Sequence, residues 1–263
     1  MLIVIEALKI EKISCHRRVR VWFLFLFAVA AATYLTMPSN TNIISYREEL
    51  QQFLLTREAF PLPPREFFDS LIREILLIVV SLFFILLYAI TWIDSQMRGL
   101  FVKSSENDKM RPVAADLSVK GNAALKLTLR NYPKFLLLAT TTVVPYIFSI
   151  LLMNIPLYIY LSMFSMTIFI IVYEEKKIPE AMNASYIMTK GMKFFIFISF
   201  MFLRSVLSII SSVLQLIFAS GTWSASLINS FFYALKTLAF GRLGAMLYHA
   251  FRTGGLKNDK QRF

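Results

Sequence analysis

Apolar runs long enough to cross a lipid bilayer recur six times along the chain. A membrane-spanning helix needs about 20 mainly apolar residues. Candidate spans lie at 21–37, 75–93, 135–153, 157–173, 194–219 and 227–250. The pattern therefore predicts an all-α, polytopic membrane protein, with six transmembrane helices in a single domain 1–263 and no separate soluble domain.

One boundary between spans depends on a single turn signal. Residues 135–173 contain no charged residue except at their margins, and Asn154-Ile155-Pro156 is the turn signal inside them. Proline lacks a backbone donor and biases the preceding residue away from the helical conformation. We therefore expect a hairpin of two short spans here, in preference to one long helix.

Two shorter stretches predict amphipathic helices at the membrane interface. In 112–130, Asp116 and Lys120 lie four residues apart beside an apolar face. In 178–193, Pro179 suits the first helical turn and Glu180 suits the positive end of the helix dipole. Lys190-Gly191 supplies a cation and a terminator, so this helix should lead directly into the fifth span.

The distribution of Lys and Arg predicts the orientation of the spans. The segment before the first span holds five Lys and Arg against two Glu, whereas the 38–74 connection holds four Arg against six acids. Cytoplasmic loops carry the excess of cations. Both termini are therefore expected inside, with 38–74, 154–156 and 220–226 outside. We interpret the first apolar run as a retained span and not as a secretory signal.

Composition supports the membrane assignment and argues against nucleic acid as a partner. Hydrophobic residues make up 57% of the chain, and the mean hydropathy is +0.61, well above the range of soluble domains. The net charge is +12. Its cations flank apolar spans and do not form a folded basic face, so the partner they indicate is the phospholipid bilayer.

Catalytic motifs are not found in the sequence. His16 and His249 are the only histidines and Cys15 is the only cysteine, so neither a two-histidine zinc motif nor a disulfide can be built. Nucleophile elbows and phosphate-binding loops are also missing from the sequence. We expect no enzyme activity, no catalytic residue, no metal site and no cofactor.

Three cations interrupt the last two spans. Taking 220–226 as the turn, Arg204 and Arg242 each lie 19 residues from Trp223, so they are predicted at one depth on the cytoplasmic side, with Lys236 nearer the centre. A cation at the bilayer centre costs about 2.5–3.5 kcal/mol. Our hypothesis is a site for an anionic lipid headgroup or solute. The alternative is that these side chains snorkel to the interface or pair internally.

A run around the fifth span resembles a known family. Over 171–203 an acidic residue ends a span and a short basic stretch, Glu-Ala, Ser and Lys-Gly follow, matched by Glu174, Lys176, Lys177, Glu180, Ala181, Ser185, Lys190 and Gly191. This run is similar to the glycerophosphoryl diester phosphodiesterase membrane-domain family and related bacterial multi-pass membrane proteins. The resemblance implies a six-span fold in the bacterial cytoplasmic membrane. It implies no phosphodiesterase activity, which belongs to a soluble domain that some members carry.

Three classes of function remain open. The first is a non-catalytic membrane protein that assists transport or handling of an anionic lipid or solute. The second is an ABC-transporter permease, whose separate ATPase would dock on Glu180, Ser185, Lys190 and Gly191. The third is an assembly factor that binds another membrane protein through the 38–74 connection, which otherwise packs on the outer leaflet.

Overall fold

The structure is a computed structural model of the chain. It describes residues 2–13, 16–36, 46, 49, 52–53, 62–104, 121–142, 145, 155–218 and 222–253. Within these residues the structure is all-helical and contains no strand. The predicted fold class, all-α, is therefore confirmed for the described part of the chain.

The described residues form nine helices, numbered here in chain order. They are α1 (Leu2–Leu8), α2 (His16–Leu35), α3 (Arg65–Ser104), α4 (Gly121–Thr140), α5 (Ile155–Phe164), α6 (Thr167–Tyr173), α7 (Ile178–Met188), α8 (Lys193–Phe218) and α9 (Thr222–Arg252). The predicted spans 21–37, 75–93, 194–219 and 227–250 correspond to α2, the middle of α3, α8 and α9.

Among the residues that the structure describes, three helices are long and apolar enough to cross a membrane. They are α2, the part of α3 from Arg65 to Gln96, and α8. Helix α9 is longer than α2, at 31 residues, but it lacks a continuous stretch that is apolar enough and is not among the three. Length and composition alone thus identify fewer spans than the six that the hydrophobic pattern predicts.

Helix α9 lies at the centre of the bundle and packs against α1, α2, α3 and α8. The residue pairs that join α9 to α3 keep the same separation in sequence. The Tyr233 hydroxyl donates to the Leu77 carbonyl at 2.5 Å, and Ser81 and Thr237 share a hydroxyl hydrogen bond at 3.1 Å. Both pairs are separated by 156 residues in sequence, so α3 and α9 run parallel.

Helix α8 runs in the opposite direction to α9. Gln215 Nε2 of α8 donates to Asn229 Oδ1 at 2.6 Å, and the rings of Phe200 and Phe240 stack at 5.7 Å. As the α8 residue number falls, the number of its partner on α9 rises, which makes the two helices antiparallel. Helix α2 contacts α9 through an edge-to-face pair, Phe23 and Phe231, at 5.4 Å.

Two helix boundaries differ from the sequence prediction. The predicted outside turn 220–226 is shorter, because α9 begins at Thr222. The predicted interfacial helix 112–130 and third span 135–153 share one helix, since α4 runs without a break from Gly121 to Thr140 through Pro133. Residues 112–120 and 146–153 lie outside the described residues, as does most of the 38–74 connection.

The predicted fourth span, 157–173, is interrupted. Helix α5 ends at Phe164 and α6 begins at Thr167. Ser185 of α7 covers the break, because its hydroxyl donates to the Met163 carbonyl at 2.9 Å and accepts from the Met166 amide at 3.3 Å. A side chain distant in sequence thus satisfies backbone groups that the helix leaves open.

Helix α7 matches its sequence signals. Lys177 is the N-cap and a proline follows in the first turn, with Glu180 as the acidic residue there. Past its end, Gly191 has φ 82°, a left-handed conformation that glycine adopts without the steric penalty of a side chain. The predicted roles of Pro179, Glu180 and Gly191 in starting and ending this helix are therefore confirmed.

Two glycines on α9 give a test of its packing. A Cβ at Gly241 would lie 2.8 Å from the Ile85 carbonyl oxygen of α3, whereas a Cβ at Gly244 would meet the Phe169 ring at 3.4 Å. Backbone cannot move aside easily, so Gly241→Ala should destabilise the protein by about 1–3 kcal/mol. Gly244→Ala should leave stability unchanged or raise it, because alanine favours helix over glycine by about 1 kcal/mol.

Thermal unfolding of both variants in the same lipid nanodiscs, followed by tryptophan fluorescence, checks this expectation. Equal shifts for the two variants would contradict the close contact between α3 and α9.

Candidate functional site

The cation deepest in the bundle is Arg242. Its side chain is 3% exposed, and its Nη1 donates to the backbone carbonyls of Lys9 and Lys12, the latter at 3.3 Å. These carbonyls belong to the segment that follows α1. Because the carbonyl oxygen carries partial negative charge, this segment solvates the guanidinium inside the protein.

Acidic and basic side chains surround this contact. Arg242 Nη2 lies 4.0 Å from Glu6 Oε1, and Glu6 also accepts hydrogen bonds from Lys12 at 2.8 Å and Lys9 at 2.7 Å. Hydrogen bonds from Lys12 and then Lys9 lower the pKa of Glu6 to about 2. Glu6 is therefore ionised at neutral pH and contributes a negative charge near Arg242.

Helix α3 also holds the N-terminal segment in place. The Tyr88 hydroxyl donates to the Ile10 carbonyl at 2.8 Å. Val4 and Ala7 of α1 are buried in the hydrophobic core. Helix α1 and the residues after it therefore form a folded cover over Arg242.

Arg204 and Lys236 lie together at a different level. Arg204 precedes the end of α8 by 14 residues, and Lys236 follows the start of α9 by 14 residues. At about 1.5 Å per residue, each lies about 21 Å from the turn that joins the two antiparallel helices. Their charges are close enough to interact. The Arg204 side chain is exposed on the surface of the bundle, and Lys236 is half-buried.

The three cations that the sequence placed in one candidate site therefore do not all lie together. With a turn centred at Trp223, the sequence predicted that Arg204 and Arg242 lie at the same depth in the membrane. Because α9 starts at Thr222, the residue level with Arg204 is Lys236. Arg242 follows Lys236 by six residues, which rotates it by about 120° around the helix axis. For Arg242 the structure shows the internal pairing that the sequence left as an alternative.

The four residues proposed for partner docking are not all accessible to a partner. Ser185 is fully buried and bonded to the break between α5 and α6. Glu180, Lys190 and Gly191 are exposed. Tyr186 and Ile187 are exposed beside them, and Lys193 lies 3.3 Å from the centre of the Tyr186 ring. The outer surface of α7 therefore combines charged and apolar groups.

The sequence patterns did not predict that α1 and the residues after it cover Arg242. The signal was present, because LIVIEAL is apolar except for Glu6 and precedes a basic stretch. A seven-residue helix is too short to be stable alone, so only its packing against α8 and α9 explains its formation.

Metal ligands do not cluster in the described ranges, where no group of three or more His, Cys, Asp or Glu residues could hold an ion. Comparisons of the chain with protein families, curated proteins and solved structures found no match. The similarity of residues 171–203 to the phosphodiesterase membrane-domain family remains a prediction.

The contact between Arg242 and the N-terminal segment predicts that Arg242→Gln loosens α1. Hydrogen bonds to a charged group contribute about 1.5–3 kcal/mol, so the open population of α1 should rise about 10- to 100-fold. A cysteine at buried Val4, in a Cys15→Ser background, would report this opening through its rate of maleimide labelling.

The matched control is Lys236→Gln, which removes a cation from the same helix without removing one of these hydrogen bonds. Labelling that is equally fast in both variants, or unchanged in both, would count against the role of Arg242.

Proposed function

We propose that this chain is a six-span protein of the bacterial cytoplasmic membrane, with both termini inside. The directions of the helices support this arrangement. Spans one and five should run opposite to span six, and span two should run parallel to it. The register of α3 and α8 with α9 agrees with this alternation, as does the high content of apolar residues.

The proposed activity is non-catalytic: the protein assists transport or handling of an anionic lipid or solute. The observation that carries this proposal is the pair formed by Arg204 and Lys236. Two positive charges held close to one another repel, and an anion placed between them would offset that repulsion. A guanidinium also presents a planar pair of donors that suits a phosphate.

The position of this pair favours a lipid phosphate as the anion. At about 21 Å from the turn, the pair lies within about 10 Å of the far edge of a hydrocarbon core about 30 Å thick. Both side chains are long enough to extend toward the headgroups on that side. Because Arg204 is exposed on α8, a lipid could reach it from the bilayer without entering the bundle.

Native mass spectrometry of protein extracted from phosphatidylglycerol-containing membranes tests this proposal. We expect Arg204→Gln/Lys236→Gln to weaken retention of phosphatidylglycerol about 10- to 30-fold, on the basis of about 1 kcal/mol for each cation. Arg17→Gln/Arg18→Gln removes the same charge from the exposed start of α2 and is the matched control. Equal retention by the two double variants would contradict the site.

The outer surface of α7 favours a second candidate function, docking of a cytoplasmic partner such as the ATPase of an ABC transporter. Glu180 and Lys190 are exposed there with Tyr186 and Ile187. Interfaces that bind a specific partner typically bury apolar groups beside charges that complement charges on the partner.

Copurification from the native membrane tests this second candidate. An ATPase that copurifies with the wild type should be lost from Ile187→Glu, because a carboxylate would replace a buried apolar contact. Leu216→Glu, at an exposed apolar site on α8, is the control. Recovery of no ATPase with the wild type, or equal recovery with Ile187→Glu, would end this alternative.

A further inference from the structure

The break between α5 and α6 lies in a stretch whose own sequence favours a continuous helix. Residues 157–173 contain neither proline nor glycine, and both residue types are usual causes of a sharp interruption in a helix. Met166, inside the break, has φ −90° and ψ −10°, and each angle is only about 30° from its α-helical value. A small rotation of the backbone therefore separates the broken helix from a continuous one.

A continuous helix over this stretch would match the thickness of a bilayer. From Ile155 to Tyr173 it would comprise 19 residues and measure about 28 Å, against a hydrocarbon core about 30 Å thick. As separate pieces, α5 and α6 have 10 and 7 residues, and neither piece alone is long enough to cross. The stretch therefore has the composition and the length of a span, although the structure shows it interrupted.

Helix α7 supplies the groups that hold the break open. The Ser185 hydroxyl accepts from the Met166 amide at 3.3 Å and donates to the Met163 carbonyl at 2.9 Å. The Thr189 hydroxyl lies 3.4 Å from the same carbonyl. Ser185 and Thr189 are both fully buried, and their spacing of four residues places them on one face of α7. Insertion of a side chain into the hydrogen bonds of a helix is a known cause of such a break.

Thr167, the first residue of α6, carries a polar group that the broken helix does not use. Its hydroxyl is buried and has no hydrogen-bond partner among the described residues. Inside α2, α3 and α4, by contrast, threonine hydroxyls donate to the carbonyl four residues earlier at 2.7 or 2.8 Å. The carbonyl four residues before Thr167 is that of Met163, which accepts from Ser185 instead. In a continuous helix, the amide and the hydroxyl of Thr167 would both be placed to donate to Met163.

We propose that α5 and α6 form a two-state switch in which the Met163 carbonyl exchanges its partner. In the state that the structure shows, Ser185 of α7 donates to this carbonyl and the helix is broken. In the other state, Thr167 donates to it, the helix is continuous, and the released Ser185 hydroxyl donates to the Ala181 carbonyl within α7. Thr189 already bonds in this way to the Ser185 carbonyl at 3.0 Å. Neither state leaves the Met163 carbonyl unpaired inside the membrane.

The switch connects the interrupted span to the surface of α7. Helix α7 packs against α5 and α6, with Ser185 on its buried face and Tyr186 and Ile187 on its exposed face. A protein that binds the exposed face more tightly in one state would shift the switch, and the switch would change the affinity of that protein by the same factor. This consequence rests on the docking proposed above, whereas the switch itself does not.

Hydrogen exchange of the full-length protein in nanodiscs distinguishes a switch from a static clip. Mass spectrometry of a peptide that covers 164–170 reports the first amides of α6, which have no partner within a broken helix. Ser185→Ala removes both bonds between α7 and the break. In a switch, the helix then becomes continuous, and these amides should exchange about 5- to 100-fold more slowly.

A static clip predicts the opposite sign. If Ser185 only supports a fixed break, Ser185→Ala leaves the break without its partner, and the 164–170 amides exchange faster or at the same rate. Either result would overturn the proposal. Ser199→Ala is the matched control, because the hydroxyl of this buried serine donates to the Phe195 carbonyl of its own helix. It should leave exchange at 164–170 unchanged.

Thr167→Val tests the other partner in the exchange. Valine has nearly the shape of threonine but no hydroxyl, so the continuous helix loses a bond to Met163 and the broken helix loses none. Added to Ser185→Ala, this change should speed exchange of the 164–170 amides again by about 3- to 10-fold. Thr91→Val, which removes a buried hydroxyl bonded within α3, is the control and should not. Equal exchange with and without Thr167→Val would contradict the role of Thr167.

Labelling of α7 separates failure of the switch from failure of the docking. A cysteine at the fully buried Ala181, in a Cys15→Ser background, should react with maleimide about 5- to 100-fold faster in Ser185→Ala than in Ser199→Ala. Faster labelling of a protein with which no ATPase copurifies would support the switch and end only the docking. Equal labelling in the two variants would count against the release of α7, whatever copurifies.

Discussion

Helix α9 carries buried polar side chains, and the elements packed around this helix cover them. Ser230, Thr237 and Arg242 are all buried on this helix, which packs against α1, α2, α3 and α8 and also contacts α6. In hydrocarbon each of these groups would lose its hydrogen bonds to water. Other protein groups replace those bonds: the Ser226 carbonyl of α9 itself for Ser230, Ser81 of α3 for Thr237, and backbone carbonyls of the segment after α1 for Arg242. Helix α9 consequently lacks a continuous stretch as apolar as those of α2, α3 and α8, which are apolar enough to cross a membrane by composition.

Arg242 links the extreme N-terminus to the last long helix of the described structure. Its partners come from residues more than 200 positions away, so the contact can form only after the bundle has closed. The ionised Glu6, held by Lys12 and Lys9, adds negative charge on the same side. A short helix that is unstable alone thereby gains a fixed place, and the buried cation gains the solvation that the apolar core does not provide.

The cations of α8 and α9 therefore have different physical settings and different consequences. Arg242 is enclosed by protein, and its guanidinium contacts groups of the N-terminal segment. Arg204 and Lys236 lie together where α8 is exposed, and this supports the proposed binding of an anion from the bilayer. Arg252, near the end of α9, borders a cavity with aromatic walls. The sequence grouped Arg204, Lys236 and Arg242 as one candidate site, but they lie in two different settings, and Arg252 lies in a third.

Local signals in the sequence were sufficient for the long helices α2, α3, α8 and α9 and for α7. Long apolar runs predicted α2, α3, α8 and α9, because the length and polarity of a run are properties of the segment alone. Pro179 and Gly191 predicted the start and end of α7 for the same reason, since both act on their own backbone. The continuous helix α4 was not predicted, because its first half belongs to the amphipathic stretch 112–130 and its second half to the apolar run 135–153.

Only the tertiary structure decided which of these residues meet. A turn shorter by a few residues changed the partner at the level of Arg204 from Arg242 to Lys236, because each residue advances about 1.5 Å and rotates about 100°. The break between α5 and α6 has no local signal of its own, and Ser185 satisfies it from another helix. Periodicity and composition determine where a helix forms, whereas contacts between distant residues depend on register and rotation, which packing sets.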